Sequence, residues 1–161
     1  MKSLLDARTR EYIVPQLNVV YTSLQGVRDA YAWLASKAGS PSAVLAFYRS
    51  DTRTAYIPID VGLPLMEETE LHETGHAYYH SVTTCVTPCA ENEAFAYACE
   101  FLPAAEAIGD AEDLICLGIE RLDEIKELFS YKIDMDSIRE DYLVLLMEGL
   151  LYALGGESNG E

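Results

Sequence analysis

All three histidines of this chain fall in one stretch, ELHETGHAYYH, running from Glu70 to His80. His72 and His76 are four residues apart, with Glu73 directly after the first. On an α-helix, residues at i and i+4 share a face, so both imidazoles can point at one ion. A carboxylate beside the first histidine can then reach a water held at that ion. HExxH is the spacing in which two imidazoles bind Zn²⁺ and the glutamate serves as the base of a hydrolysis.

A catalytic zinc site takes three protein ligands and leaves one position open. On a helical wheel, at ~100° per residue, His72, Glu73, His76 and His80 lie within one quarter of the circumference, with Leu65 and Thr69. His80 has the right direction, yet at i+8 it stands ~12 Å along the axis from His72. It is therefore expected near the site and not on the ion. The next helical segment, ENEAFAYACEFLP, places Glu93 17 residues after His76, room for a loop and a helical return. Glu93, Ala96, Tyr97 and Glu100 share one face there, with small Ala96 leaving space for a metal. Glu93 is the first candidate for the third ligand, Glu100 the second and Glu91 the third. An oxyanion formed during hydrolysis needs a further donor, for which His80, Tyr79 and Tyr97 stand on suitable faces. Cys99 belongs to the opposite, apolar face. Cys85 and Cys89, in SVTTCVTPCA, lack the paired spacing of a zinc ribbon and read as small apolar filler.

The elements that must position these groups are a small sheet and several helices. Residues 17–38 carry apolar residues at helical spacing, stop at Gly39 and are followed by Pro41, which predicts a helix. Pro15 separates it from a shorter N-terminal segment. SAVLAFYR and TAYIPID read as a β-hairpin turning at Ser50-Asp51, with Pro58 placing the second strand at an edge or near its end. The motif helix is expected from about Leu65 to His80, with Glu67, Glu70 and Thr74 on a solvated far side. Leu71, Gly75 and Tyr78 form a third face. Gly75 costs ~1 kcal/mol in a helix relative to Ala, so a close approach, assigned here to the hairpin, must justify it. A second helix covers about Glu91 to Leu102 and stops at Pro103. Two or three amphipathic helices follow to about Leu154. The class is α+β, with a hairpin and a possible third strand. Residues 1–155 make one domain, and 156–161, within the terminal stretch GGESNGE, a disordered tail.

At 161 residues, half of them hydrophobic and 24 % charged, the chain is long enough for a buried core. No run reaches the ~18 apolar residues of a membrane span. Charges in MKSLLDARTREY stand where the apolar core of a secretion signal would lie, so the cytoplasm is the expected compartment and the cysteines are expected as thiols. A formal charge of -16 argues against direct nucleic-acid binding and fits a basic protein partner. IKELFSYKIDMDSIRE, long enough for a helix-turn-helix, carries more acid than base. A di-iron carboxylate bundle would need a second Glu-x-x-His unit, which the chain lacks.

HETGHAYYH followed by ENEAFAYACEFLP resembles the ImmA/IrrE-type metallopeptidases of bacteria, phages and mobile elements. Their signature is HExGH, a further histidine four residues on, and an E-A-x-x-F-A-x-x-L-L-M-P helix. Glu93-Ala94, Tyr97-Ala98 and Phe101-Leu102-Pro103 stand at the matching positions, and TAYIPID matches the strand ahead of the motif helix. The chain departs at Phe95, where Asp or Asn is common, and in the acidic Glu67, Glu68 and Glu70. The resemblance implies a zincin-like α+β fold, Zn²⁺ held by His72, His76 and Glu93, and Glu73 as catalytic base. It gives His80 an outer, supporting place. It also implies a protein substrate such as a helix-turn-helix repressor. The rival expectation is an acidic, zinc-containing protein that sequesters a basic regulator without cutting it.

Overall fold

The computed structural model describes residues 1–35, 44–83, 89–129 and 131–159, the side chains of 33–35 and 156–159 excepted. Helix α1 (Ala7–Ile13) opens with Asp6, whose side chain accepts from the Thr9 amide at 2.9 Å. Strand β1 (Asn18–Thr22) and helix α2 (Leu24–Ala35) then occupy the segment expected as one helix over 17–38. This is a correction. The run NVVYT is β-branched and aromatic, and it pairs in parallel with β3 (Thr54–Pro58), Asn18 opposite Thr54 and Thr22 opposite Pro58. Helix α2 starts afresh after Ser23, whose hydroxyl accepts from the Gly26 amide at 3.0 Å. Residues 36–38 of the expected helix lie outside the described residues.

Strand β2 (Phe47–Arg49) is antiparallel to β3, so the expected hairpin is present, and β1 supplies the third strand. The order β1-β3-β2 puts β3 in the centre. Pro58 is tolerated there because it is the last residue of the strand.

Helix α3 (Leu63–Thr83) carries the HExxH motif and lies between the sheet and α4 (Ala90–Cys99). Its burial extends to the side expected to be solvated. Thr74 is 1 % exposed and Glu70 4 %; only Glu67 is open to solvent. The wheel of a single helix cannot register that α1 and β1 close over this side. Glu70 is accommodated by charge pairing: Arg10 Nη1 donates to its carboxylate at 2.6 Å and the Tyr21 hydroxyl at 2.7 Å.

Gly75 does mark a close approach, but to α4 and not to the hairpin. A Cβ there would lie 2.9 Å from Cys99 Sγ and 3.1 Å from Ala96 Cα. Ala96 is therefore a packing contact with α3, which corrects the role of leaving space for a metal. After a 3-10 turn at Leu102–Ala104, containing Pro103, come short α5 (Ala105–Ile108) and α6 (Ala111–Ile125). Helix α6 begins with a reciprocal capping box between Asp110 and Asp113. It packs on the other side of α4, where a Cβ on Gly118 would collide with the Ala94 carbonyl oxygen and sit 2.8 Å from Ala98 N. Two 3-10 turns, Lys126–Leu128 and Met135–Ser137, lead to α7 (Glu140–Asn159). Leu143, Met147, Leu150 and Leu154 of α7 are 0–1 % exposed and complete the core with Leu114, Ile115, Leu122 and Phe95. Helix α7 continues into the stretch expected as a tail. Among the described residues no helix is long and apolar enough to cross a membrane.

Candidate metal centre

Helix α3 supplies His72, Glu73 and His76, and α4 supplies Glu93 from its first turn. The imidazole Nε2 atoms of His72 and His76 are 3.1 Å apart. A single Glu93 oxygen, Oε1, lies 3.5 Å from the first and 3.4 Å from the second. A tetrahedral ion with bonds of 2.0–2.1 Å requires ligand atoms about 3.3–3.4 Å apart. The three edges bracket that value. His72, His76 and Glu93 thus form the ligand geometry of an HExxH zinc-metallopeptidase site, and among the described residues they are the group able to hold a metal.

The far nitrogens of the two rings give the same answer. His72 Nδ1 lies 2.8 Å from Glu100 Oε2, and His76 Nδ1 lies 2.8 Å from Asn92 Oδ1. Each oxygen accepts the Nδ1 proton, which leaves the Nε2 lone pairs facing each other and the Glu93 oxygen. Three electron-rich atoms this close, in a setting 12–15 % exposed, call for a shared cation. Glu100 is thereby an orienting partner of His72 and not the third ligand. Asn92 was not legible as a site residue; the available signal was its position next to Glu93 in the first turn of α4. Glu91 sits elsewhere, held by Arg139 at 2.7 and 2.9 Å.

Without a metal, this cluster attracts protons. Burial pulls the His72 pKa down, but hydrogen bonds to Glu100 and Glu93 overcome it and push it up to about 10. His76 is raised as well, by the nearby Glu93 charge against the penalty of burial. Burial alone would raise Glu93, yet the two imidazoles hold its carboxyl well below the usual range. Glu73 is 6 % exposed, and burial lifts its pKa above the ordinary carboxylate value. A raised pKa suits a carboxylate that must take up a proton and release it again.

The other expected site residues occupy distinct places. Tyr97 packs edge-on against His72, with ring centroids 4.4 Å apart. Tyr79 is 2 % exposed and donates its hydroxyl to Glu91 at 2.9 Å. His80 is 3.1 Å from the Tyr48 hydroxyl of β2 and takes no part in the ligand cluster. Cys99 is a fully buried core thiol, as its helix face implies. Cys89 caps α4, its sulfur accepting from the Asn92 amide, and Cys85 lies outside the described residues. Burial, and then the negative charge of Glu93, raise the pKa of Tyr131, in the segment after α6. Nothing in the local sequence around Tyr131 points to such a position. No family model, curated protein or solved structure matches the chain.

Proposed function

We propose that this protein is a zinc-dependent regulatory peptidase of the ImmA/IrrE type, acting on a protein substrate such as a basic helix-turn-helix repressor. The observation that carries the reading is the His72–His76–Glu93 triangle with buried Glu73 beside it on the same helix. When bound, the ion polarises the scissile carbonyl and lowers the pKa of a coordinated water towards ~7. Glu73 accepts a proton from the attacking water and delivers it to the departing amine nitrogen. Glu100 and Asn92 hold the two imidazoles in the tautomer that presents Nε2. Tyr97 closes one side of His72 and limits its rotation.

The net charge of -16 supports the choice of a basic substrate, and equally supports a second reading in which the protein sequesters a basic regulator uncut. Glu73→Gln separates the two. Zinc-loaded wild type and variant are incubated with a diverse synthetic peptide library and cleavage is read by mass spectrometry. The peptidase reading expects cleavage by wild type only, with one zinc per chain in both proteins. Wild type that binds zinc and cuts nothing, while retaining a basic repressor, would establish sequestration instead.

A further inference from the structure

Glu91 is 6 % exposed, and each oxygen of its carboxylate accepts two hydrogen bonds. Oε2 accepts from the Arg139 backbone amide and from Arg139 Nε, each at 2.7 Å. Oε1 accepts from Arg139 Nη2 and from the Tyr79 hydroxyl, each at 2.9 Å. The Arg139 carbonyl in turn accepts from the Leu143 amide at 3.1 Å, so α7 starts from this residue. One carboxylate thus joins α3, α4 and the head of α7. The guanidinium lies over the Tyr142 ring, 4.3 Å from its centroid, which holds the fork in place.

As a source of stability the arrangement is poor. A buried carboxylate is costly to desolvate, its cationic partner is 67 % exposed, and an apolar side chain at 91 would serve the core as well. What four directional bonds supply is orientation. Glu91, Asn92 and Glu93 form the first turn of α4 and project about 100° apart. Fixing the first therefore fixes the other two. Asn92 then meets His76 Nδ1 at 2.8 Å, and Glu93 stands 3.5 and 3.4 Å from the two Nε2 atoms. The contacts at Gly75 and Gly118 set how closely α4 lies against its neighbours, but apolar contact is not directional and leaves its rotation open. We propose that Glu91 and Arg139 are positioning residues of the metal centre, holding the first turn of α4 at the rotation that brings Asn92 and Glu93 onto the two histidines. Neither residue touches the ion. The inference rests on the zinc site of the proposed function and not on its peptidase step.

The test is zinc affinity, measured by chelator competition, in Arg139→Ala, Arg139→Lys and a stability reference, Val27→Ala, which trims a fully buried side chain of α2. Arg139→Ala leaves Glu91 the Tyr79 hydroxyl and the amide at 139, so circular dichroism should stay native; Arg139→Lys carries the test if it does not. Expected is an affinity lowered about tenfold or more in Arg139→Ala. Arg139→Lys, which keeps the charge but lacks the fork, should lose less. Val27→Ala should lower Tm and leave zinc affinity unchanged. The second readout is spectroscopic. Co²⁺ in the wild-type site should give the strong visible bands of four-coordinate geometry, and these should weaken in Arg139→Ala as Glu93 turns away and water replaces it. Wild-type affinity and Co²⁺ bands in Arg139→Ala overturn this inference alone. So does full recovery in Arg139→Lys, which would make charge the cause, or a loss of affinity in Val27→Ala in proportion to its Tm. Wild type that binds no zinc overturns the metal centre and this inference together.

Discussion

At the scale of single residues, the centre is a competition between protons and a metal for the same atoms. The folded pKa of His72, about 10 against an ordinary 6.5, means that protonation stabilises the metal-free fold below about pH 6.5. That contribution disappears as pH rises through about 10. At neutral pH the metal-free site therefore carries a proton that Zn²⁺ must displace. Titration calorimetry in buffers of different ionisation enthalpy should show at least one proton released per zinc at pH 7. Apparent affinity should rise towards alkaline pH, about tenfold per unit for each proton displaced; a flat profile would contradict the protonation of His72. The partners of the Nδ1 atoms set the other half of the balance. Asn92→Ala removes the acceptor of the His76 Nδ1 proton, 2.8 Å away, and frees the ring to turn. Chelator competition should show zinc affinity lowered about 10- to 100-fold while circular dichroism stays native.

At the scale of elements, the ligand triangle depends on how α4 is held. Helix α4 is clamped between α3 at Gly75 and α6 at Gly118, with Ala94, Ala96 and Ala98 all 0 % exposed. Gly118→Ala gains ~1 kcal/mol of helix propensity but drives a methyl group against the α4 backbone, where overpacking costs about 1–3 kcal/mol. The expected result is a lower Tm and, because α4 must shift, weaker zinc binding. A variant with higher Tm and intact zinc affinity would show that the clamp has slack. These elements also show which parts of the fold are legible in sequence. His72, Glu73 and His76 lie within one helical turn or so, and Glu93 lies on the next helix, so periodicity and spacing suffice. β1 escapes because NVVYT happens to fit a helical period; what makes it a strand is β3, 36 residues further on. Glu70 and Tyr131 escape for the same reason. Arg10, Tyr21 and Glu93, which define their surroundings, belong to distant segments, and no wheel drawn for one helix contains them.

At the scale of the whole molecule, the charge of -16 acts on encounter more than on chemistry. Raising salt from about 0.05 to about 0.5 M shortens the screening length from roughly 14 to 4 Å. The value of kcat/KM for a basic polypeptide should fall at least tenfold over that range, mainly through KM, while a neutral peptide is cleaved at nearly constant efficiency. Equal salt dependence for both would remove the argument for a basic substrate. The glycine clamp has a consequence at this scale too. The spacing of three ligand atoms is a gauge for ionic radius, and its two jaws are the backbones of α3 and α4. Their setting is locked by α6 and, behind it, by the Leu143–Met147–Leu150–Leu154 row of α7. Core packing remote from the metal therefore sets which ions fit. Variants that loosen that packing should lose their preference for zinc over larger cations before they lose their fold.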